Sequence, residues 1–143
     1  MKKILNFWKL LGSKTVIMDA DQHDKIFAIT SHLPHLIAYN LILTATSFKS
    51  SNKNNILKFS AGGLRDFSRI AASNEIMWRD IFFDNKFNIL KVINLFINNL
   101  KIFKREIKQN RKSLEIKLKK LKKVRQKIIL LKQDTSKPDF GRI

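Results

Sequence analysis

The chain has 143 residues, enough for one packed domain or for a domain with part of another, and 44% of them are hydrophobic. Twenty-nine Lys and Arg against 11 Asp and Glu give a net charge of +18, and the lack of cysteine excludes disulfides and leaves the redox compartment unread. No uninterrupted apolar run approaches the length of a spanning helix, and Asn6 and Lys9 break the apolar start that follows Met1-Lys2-Lys3, so neither a membrane partner nor export is expected and a cytoplasmic location follows by default.

Residues 4–11 read as a short amphipathic helix ended by Gly12, and Thr15-Val16-Ile17-Met18 has the β-branched, apolar character of a buried strand. Residues 24–48 read as a long apolar helix, with Ile26, Thr30, Leu33, Ile37, Leu41 and Thr44 along one side. Residues 49–55 form a polar loop, and residues 56–59 lead into Gly62-Gly63, where backbone freedom marks a break or a close approach. Asn74 followed by Glu75 suits a helix start, with helix over residues 76–83. The next helix carries Ile89, Val92, Ile93, Phe96, Ile97, Leu100 and Phe103 as one stripe. Leu114, Leu118, Leu121, Val124, Ile128 and Leu131 continue at near-heptad spacing, a stripe that needs a partner helix or another subunit. Residues 134–143, with Pro138 and Gly141, read as an irregular end.

Two stretches concentrate the chemistry. In Ser31-His32-Leu33-Pro34-His35, helical spacing brings Ser31 and His35 within about 40° of each other, while His32 points roughly 100° away. Ala28 and Ala38 flank that face, and Pro34 lacks the N–H that would bond the carbonyl of Thr30. Such a face orients a polar ligand, or else packs closely against another helix with a hydrogen-bonded structural histidine.

In Gly62-Gly63-Leu64-Arg65-Asp66-Phe67-Ser68-Arg69, Asp66 stands three residues before Arg69, a spacing that holds a guanidinium ready to grip carboxylate or phosphate. The same spacing equally suits a surface ion pair of well under ~1 kcal/mol. Trp78 is an anchor, either in the core or at an interface. With four glycines and no cysteine, the chain carries no nucleotide-binding glycine fingerprint and no metal-ligand cluster.

His23-Asp24, Ser31-His32-Leu33-Pro34-His35, Ala61-Gly62-Gly63-x-Arg65-Asp66-x-x-Arg69-Ile70-Ala71 and Met77-Trp78-x-Asp80-Ile81, in this order and spacing, closely resemble the carboxy-terminal half of prephenate dehydrogenases. The Pro138-Asp139-Phe140-Gly141 tail is compatible with that resemblance. The resemblance implies an all-α helical dimerisation and substrate domain over residues 23–143, preceded in residues 1–22 by a helix-plus-strand remnant of a Rossmann domain. It also implies that the chain begins partway through a longer enzyme.

Family members oxidatively decarboxylate prephenate to 4-hydroxyphenylpyruvate with NAD or NADP, on the route to tyrosine. The ring hydroxyl loses its proton as hydride leaves the same carbon, and loss of carbon dioxide aromatises the ring. By position, Arg69 matches the arginine that binds a substrate carboxylate, and Ser31 and His35 match residues lining the site. Asp66 would orient the arginine, Gly62 would admit the substrate, and Trp78 would reach the neighbouring subunit's site. The family's catalytic histidine lies in the domain this chain lacks, so the chain alone is expected to bind no cofactor, to hold no metal and to be inactive. The implied partners are a second copy of the chain, prephenate or arogenate, and a separately encoded Rossmann domain. The minor alternatives are a noncatalytic dimerising or metabolite-binding relic and a basic helical nucleic-acid-binding protein. The last is suggested by fourteen Lys or Arg against Glu106 and Glu115 between Lys101 and Lys132. No aromatic platform accompanies that charge, and the bland alternative is a solvated helix face.

Overall fold

A computed structural model describes residues 1–48, 57–109 and 111–133, and among them every regular element is helical. The polar loop expected at residues 49–55 and the irregular end expected at 134–143 lie outside the described residues. The chain divides into two compact units, Met1–Asn94 and Leu95–Ile143.

Helix α1 spans Lys2–Leu10 and stops where Gly12 takes a φ of 79°, the left-handed conformation that a side chain disfavours. The amides of Gly12 and Ser13 close that end by donating to the carbonyls of Lys9 and Trp8 at 2.9 and 3.0 Å. The expected strand at Thr15–Met18 is not formed. Val16 and Ile17 are 75% and 65% exposed, and no second strand among the described residues is there to accept their backbone hydrogen bonds.

Asp19 opens α2 (Ala20–Phe27) by accepting the Gln22 amide at 2.7 Å. A single π-turn over Ala28–His32 then joins α2 to α3 (Leu33–Ser47) without a break, the Leu33 amide reaching the Ala28 carbonyl. Pro34 explains the widened turn: it has no N–H to continue the α pattern, and the helix passes it by taking in one extra residue. The turn also shifts the buried side of the helix. Ala28 and Ala38 are fully buried, whereas Thr30, Leu41 and Thr44 of the predicted stripe are exposed. Thr30 and Thr44 instead bond the carbonyls of Ile26 and Asn40, four residues back, at 2.9 and 2.7 Å.

This 28-residue helix, Ala20–Ser47, has the length and apolar composition to cross a membrane, contrary to the expectation from uninterrupted apolar runs. A run ends at every polar residue, whereas a helix averages over the few it contains. His32 and His35, which meet Trp78, and its packing on α4 give it a protein-facing side.

After a 3₁₀ turn at Leu57–Phe59, α4 (Gly62–Ala71) packs on α3 with Leu64, Phe67, Ile70 and Ala71 half-buried and Arg65, Asp66, Ser68 and Arg69 exposed. Helix α5 (Glu75–Asp84) starts as expected at Asn74, whose side chain accepts the Met77 amide at 2.8 Å. Helix α6 (Lys86–Gln109) follows almost at once, with Ile89 buried and Val92, Ile93 and Phe96 half-buried.

Within the second unit, the end of α6 and α7 (Arg111–Leu130) are tied through Glu106. Its carboxylate accepts from Lys117 Nζ at 2.6 Å and from Ser113 Oγ at 3.4 Å, and Lys117 also lies 5.2 Å from the centre of the Phe103 ring. Leu118, Leu121 and Val124, the middle of the expected second stripe, remain about half exposed.

Candidate functional site

The site is built where the long helix meets α5. Trp78, 5% exposed, is the only large aromatic side chain buried among the described residues. His35 stacks on it with ring centres 3.6 Å apart and planes 22° from parallel. His32 meets the same ring edge-to-face at 6.2 Å, and Phe82 and Tyr39 extend the cluster. Two of the expected site residues, His35 on α3 and Trp78 on α5, are thus brought together although they are distant in sequence.

Each histidine is fixed by a hydrogen bond. His35 Nδ1 lies 3.1 Å from the Ser31 carbonyl, which only accepts, so this nitrogen carries a proton. In the neutral ring Nε2 is then an acceptor, and in the charged ring it is a second donor. Ser31, half-buried, thereby contributes its backbone carbonyl to the cluster. His32 Nδ1 lies 3.3 Å from the Asn85 amide nitrogen. Burial holds the His32 pKa below the ordinary histidine value, while the Asp24 carboxylate opposes that shift and His23 and His35 add to it. Trp78 Nε1 is buried without a hydrogen-bond partner, a donor held beside His35.

A groove of about 320 Å³ opens beside Trp78, lined by Tyr39, Glu75, Arg79, Phe82 and Phe83. Its lining surface is almost wholly apolar, Glu75 and Arg79 included, the form of a site for an aromatic ring. Arg79 is engaged by Asp80, with Nη2 2.7 Å from the carboxylate.

The second sequence stretch is placed differently. Gly62 and Gly63 form the first turn of α4 behind Ala61, which caps it without a side-chain hydrogen bond, and a Cβ on either glycine would meet no atom within 4 Å. The close approach is therefore not made within this chain among the described residues. Asp66 and Arg69 lie on the exposed side of α4 and are not ion-paired with each other in this structure. Arg69 contributes no wall to the groove beside Trp78.

Sequence spacing missed Asn85, Tyr39 and Phe82. Asn85 follows Asp84 at a helix junction, which reads as an ordinary polar end, and nothing in its neighbours shows that it is buried. Tyr39 stands four residues after His35, a helical-face relation that was legible.

The described residues do not fit a dinucleotide. They contain no strand and no glycine-rich strand-to-helix turn, the cradle that holds a pyrophosphate. No group of three metal-binding side chains occurs among them either.

A family described as "Prephenate dehydrogenase, dimerization domain" matches residues 19–123. The chain is 40% identical over 98 residues to the cyclohexadienyl dehydrogenase of Zymomonas mobilis, covering 68% of this chain and 33% of that protein. It is 35% identical over 101 residues to the prephenate dehydrogenase of Bacillus subtilis, covering 70% of this chain and 27% of that protein. Among solved structures, prephenate dehydrogenase from A. aeolicus in complex with hydroxyphenyl propionate and NAD+ superposes with a TM-score of 0.81 and 36% identity, over 89% of this chain and 44% of that one. Synechocystis arogenate dehydrogenase shares the fold, with a TM-score of 0.78 at 23% identity over 88% of this chain and 46% of that one. The chain spans about a third of the length of the curated relatives it matches.

Proposed function

The chain belongs to the prephenate dehydrogenase family through its dimerisation domain, and from that membership we propose that it supplies the substrate contacts and the subunit interface of an enzyme that oxidatively decarboxylates prephenate or arogenate. The observation that carries the proposal is the stacking of His35 on Trp78, which joins two of the family-like motifs into one aromatic wall. A planar ring lying along that wall would find the His35 Nε2 for a polar substituent.

Arg69, exposed and unpaired on α4, is the proposed grip for a substrate carboxylate, and its planar fork suits the bidentate geometry. Asp66 would orient that guanidinium once the ligand fixes it. Gly62, with open space where a side chain would stand, would let the ligand approach the first turn of α4. Ser31 holds His35 in place. Trp78, stacked within its own chain, serves as the wall beside His35, and the half-exposed stripe of α7 serves contact with a second copy.

NAD or NADP would be held by a Rossmann domain outside the described residues, supplied on a separate chain or on a longer one. Hydride acceptance belongs to that domain, and the residues of this chain bind and orient the substrate. The family's tyrosine-pathway role makes a cytoplasmic location the natural one.

The experiment joins this chain to the Rossmann domain of its A. aeolicus relative and follows prephenate-dependent reduction of NAD. Activity is expected, with a fall in kcat/KM of about 10- to 100-fold on Arg69→Ala, the size of a lost charged hydrogen bond. Unchanged substrate affinity in that variant would remove Arg69 from the site. An inactive fusion that still dimerises would leave a noncatalytic dimerising module.

A further inference from the structure

Asn85 occupies the junction of α5 and α6, and at 6% exposure it is the buried polar residue of the described chain. Its amide is fully engaged. Nδ2 donates to the Asp24 carbonyl at 2.7 Å and faces His32 Nδ1 at 3.3 Å, while Oδ1 accepts from Asn88 Nδ2 at 2.8 Å. Asp24 and His32 are 61 and 53 residues away in sequence, so this one side chain pins the long helix to the α5–α6 junction.

An amide N–H facing a ring nitrogen has one productive arrangement: Nδ1 accepts, and the proton of the neutral imidazole sits on Nε2. His32 packs edge-to-face on Trp78, and Trp78 carries the stacked His35. The connection therefore runs without a gap from Asn85 through His32 and Trp78 to His35.

We infer that Asn85 is a positioning residue: it holds His32 in the Nε2–H tautomer and clamps α2 to the α5–α6 junction, and by both means fixes the Trp78 ring on which His35 stacks. The inference deepens the substrate-site reading above and rests on it for the consequence in ligand binding. A residue that only filled space would need neither donor, and one that only joined two helices would not need His32. The groups acting on His32 are Asp24 and His23 from α2 and His35 from α3, with Asn85 the neutral partner at the ring nitrogen. A hydrogen bond accepted by the neutral ring adds to burial in opposing protonation.

The test uses the full chain, and its first arm needs a variant only to assign signals. Nitrogen-15 NMR of the imidazoles, with the His32 signals assigned by their loss in His32→Gln, is expected to show the Nε2–H tautomer. An Nδ1–H tautomer overturns the inference. The second arm is Asn85→Asp, which keeps size and the acceptor for Asn88 but replaces the donor at His32 with a carboxylate. The His32 pKa is expected to rise by about one unit or more in this variant, with helix content kept, and an unmoved pKa overturns the inference.

The third arm titrates hydroxyphenyl propionate, the compound bound by the A. aeolicus relative. Binding is expected to weaken about tenfold in Asn85→Asp and to recover toward wild type in Asn85→Gln, which restores an amide donor. Equal affinity in all three proteins removes the positioning role. Absence of binding to the wild-type chain, with the two NMR results as expected, counts against the substrate-site reading while the Asn85 clamp stands.

Discussion

The two units of the chain are held by contacts of opposite kinds. In Met1–Asn94 the decisive contacts are long-range: Asn85 reaches Asp24 and His32, and His35 lies on Trp78. In Leu95–Ile143 the ion pairs of Glu106 with Lys117 and of Glu115 with Lys119 join residues close in sequence, and the apolar residues of α7 stand about half exposed amid unbalanced positive charge. The first unit specifies a particular arrangement of side chains. The second presents a stripe whose burial requires another surface, so its stability should depend on protein concentration while the geometry of the first should not.

The comparison breaks most sharply at Trp78. Trp78→Ala is expected to cost about 3–5 kcal/mol, the range for truncating a buried aromatic, and to abolish the His35 stack, as read by urea unfolding and near-ultraviolet dichroism. A cost under about 1 kcal/mol would show that the first unit is no better specified than the second. Next, Ala38→Leu at a fully buried contact should cost about 1–3 kcal/mol by overpacking.

Glu106→Gln tests the second unit at its best-buried pair, whose side chains are 13% and 30% exposed. About 1 kcal/mol is expected, with a double-mutant cycle against Lys117→Met isolating the pair. Lys119→Ala, whose partner Glu115 is well exposed, should change stability by less than about 0.5 kcal/mol, with the loss vanishing in high salt.

The smallest expected effect is in pH. His32 has a folded pKa below its ordinary value, so the unfolded chain takes up the proton first as pH falls. The stability associated with its neutral form is fully present above the unfolded pKa, near 6.5, and is lost as pH falls toward the folded value. A modest decline in the urea midpoint across that window is expected, and it should be absent from His32→Gln. A stability that instead rises as pH falls there would reverse the assigned sign.

Local chemistry was legible in the sequence. Gly12 ends α1, Asn74 caps α5, and the family-like spacing of the motifs pointed to His35 and Trp78, which the fold stacks on each other. What the sequence concealed was tertiary or depended on phase. Thr15–Met18 has strand composition but no neighbouring strand to bond. The predicted stripe through Thr30 and Leu41 assumed one unbroken helical period, and the π-turn before Pro34 changed it. Asn85 looks like any helix-end asparagine until Asp24 and His32, more than fifty residues earlier, fold against it.

The π-turn at Ala28–His32 has a consequence for insertion and deletion. Upstream of it, Asp24 is keyed to Asn85, and downstream, His35 is keyed to Trp78. Its five residues close about the same rotation that four residues close in an α-helix, so the two keys keep the phase of a regular helix one residue shorter, whereas a residue added to the regular turns on either side would rotate one key relative to the other by about 100°. The extra residue is thus absorbed where it sits, and two sequences identical at every contact would build different sites if they differed by one residue in the regular turns that flank it.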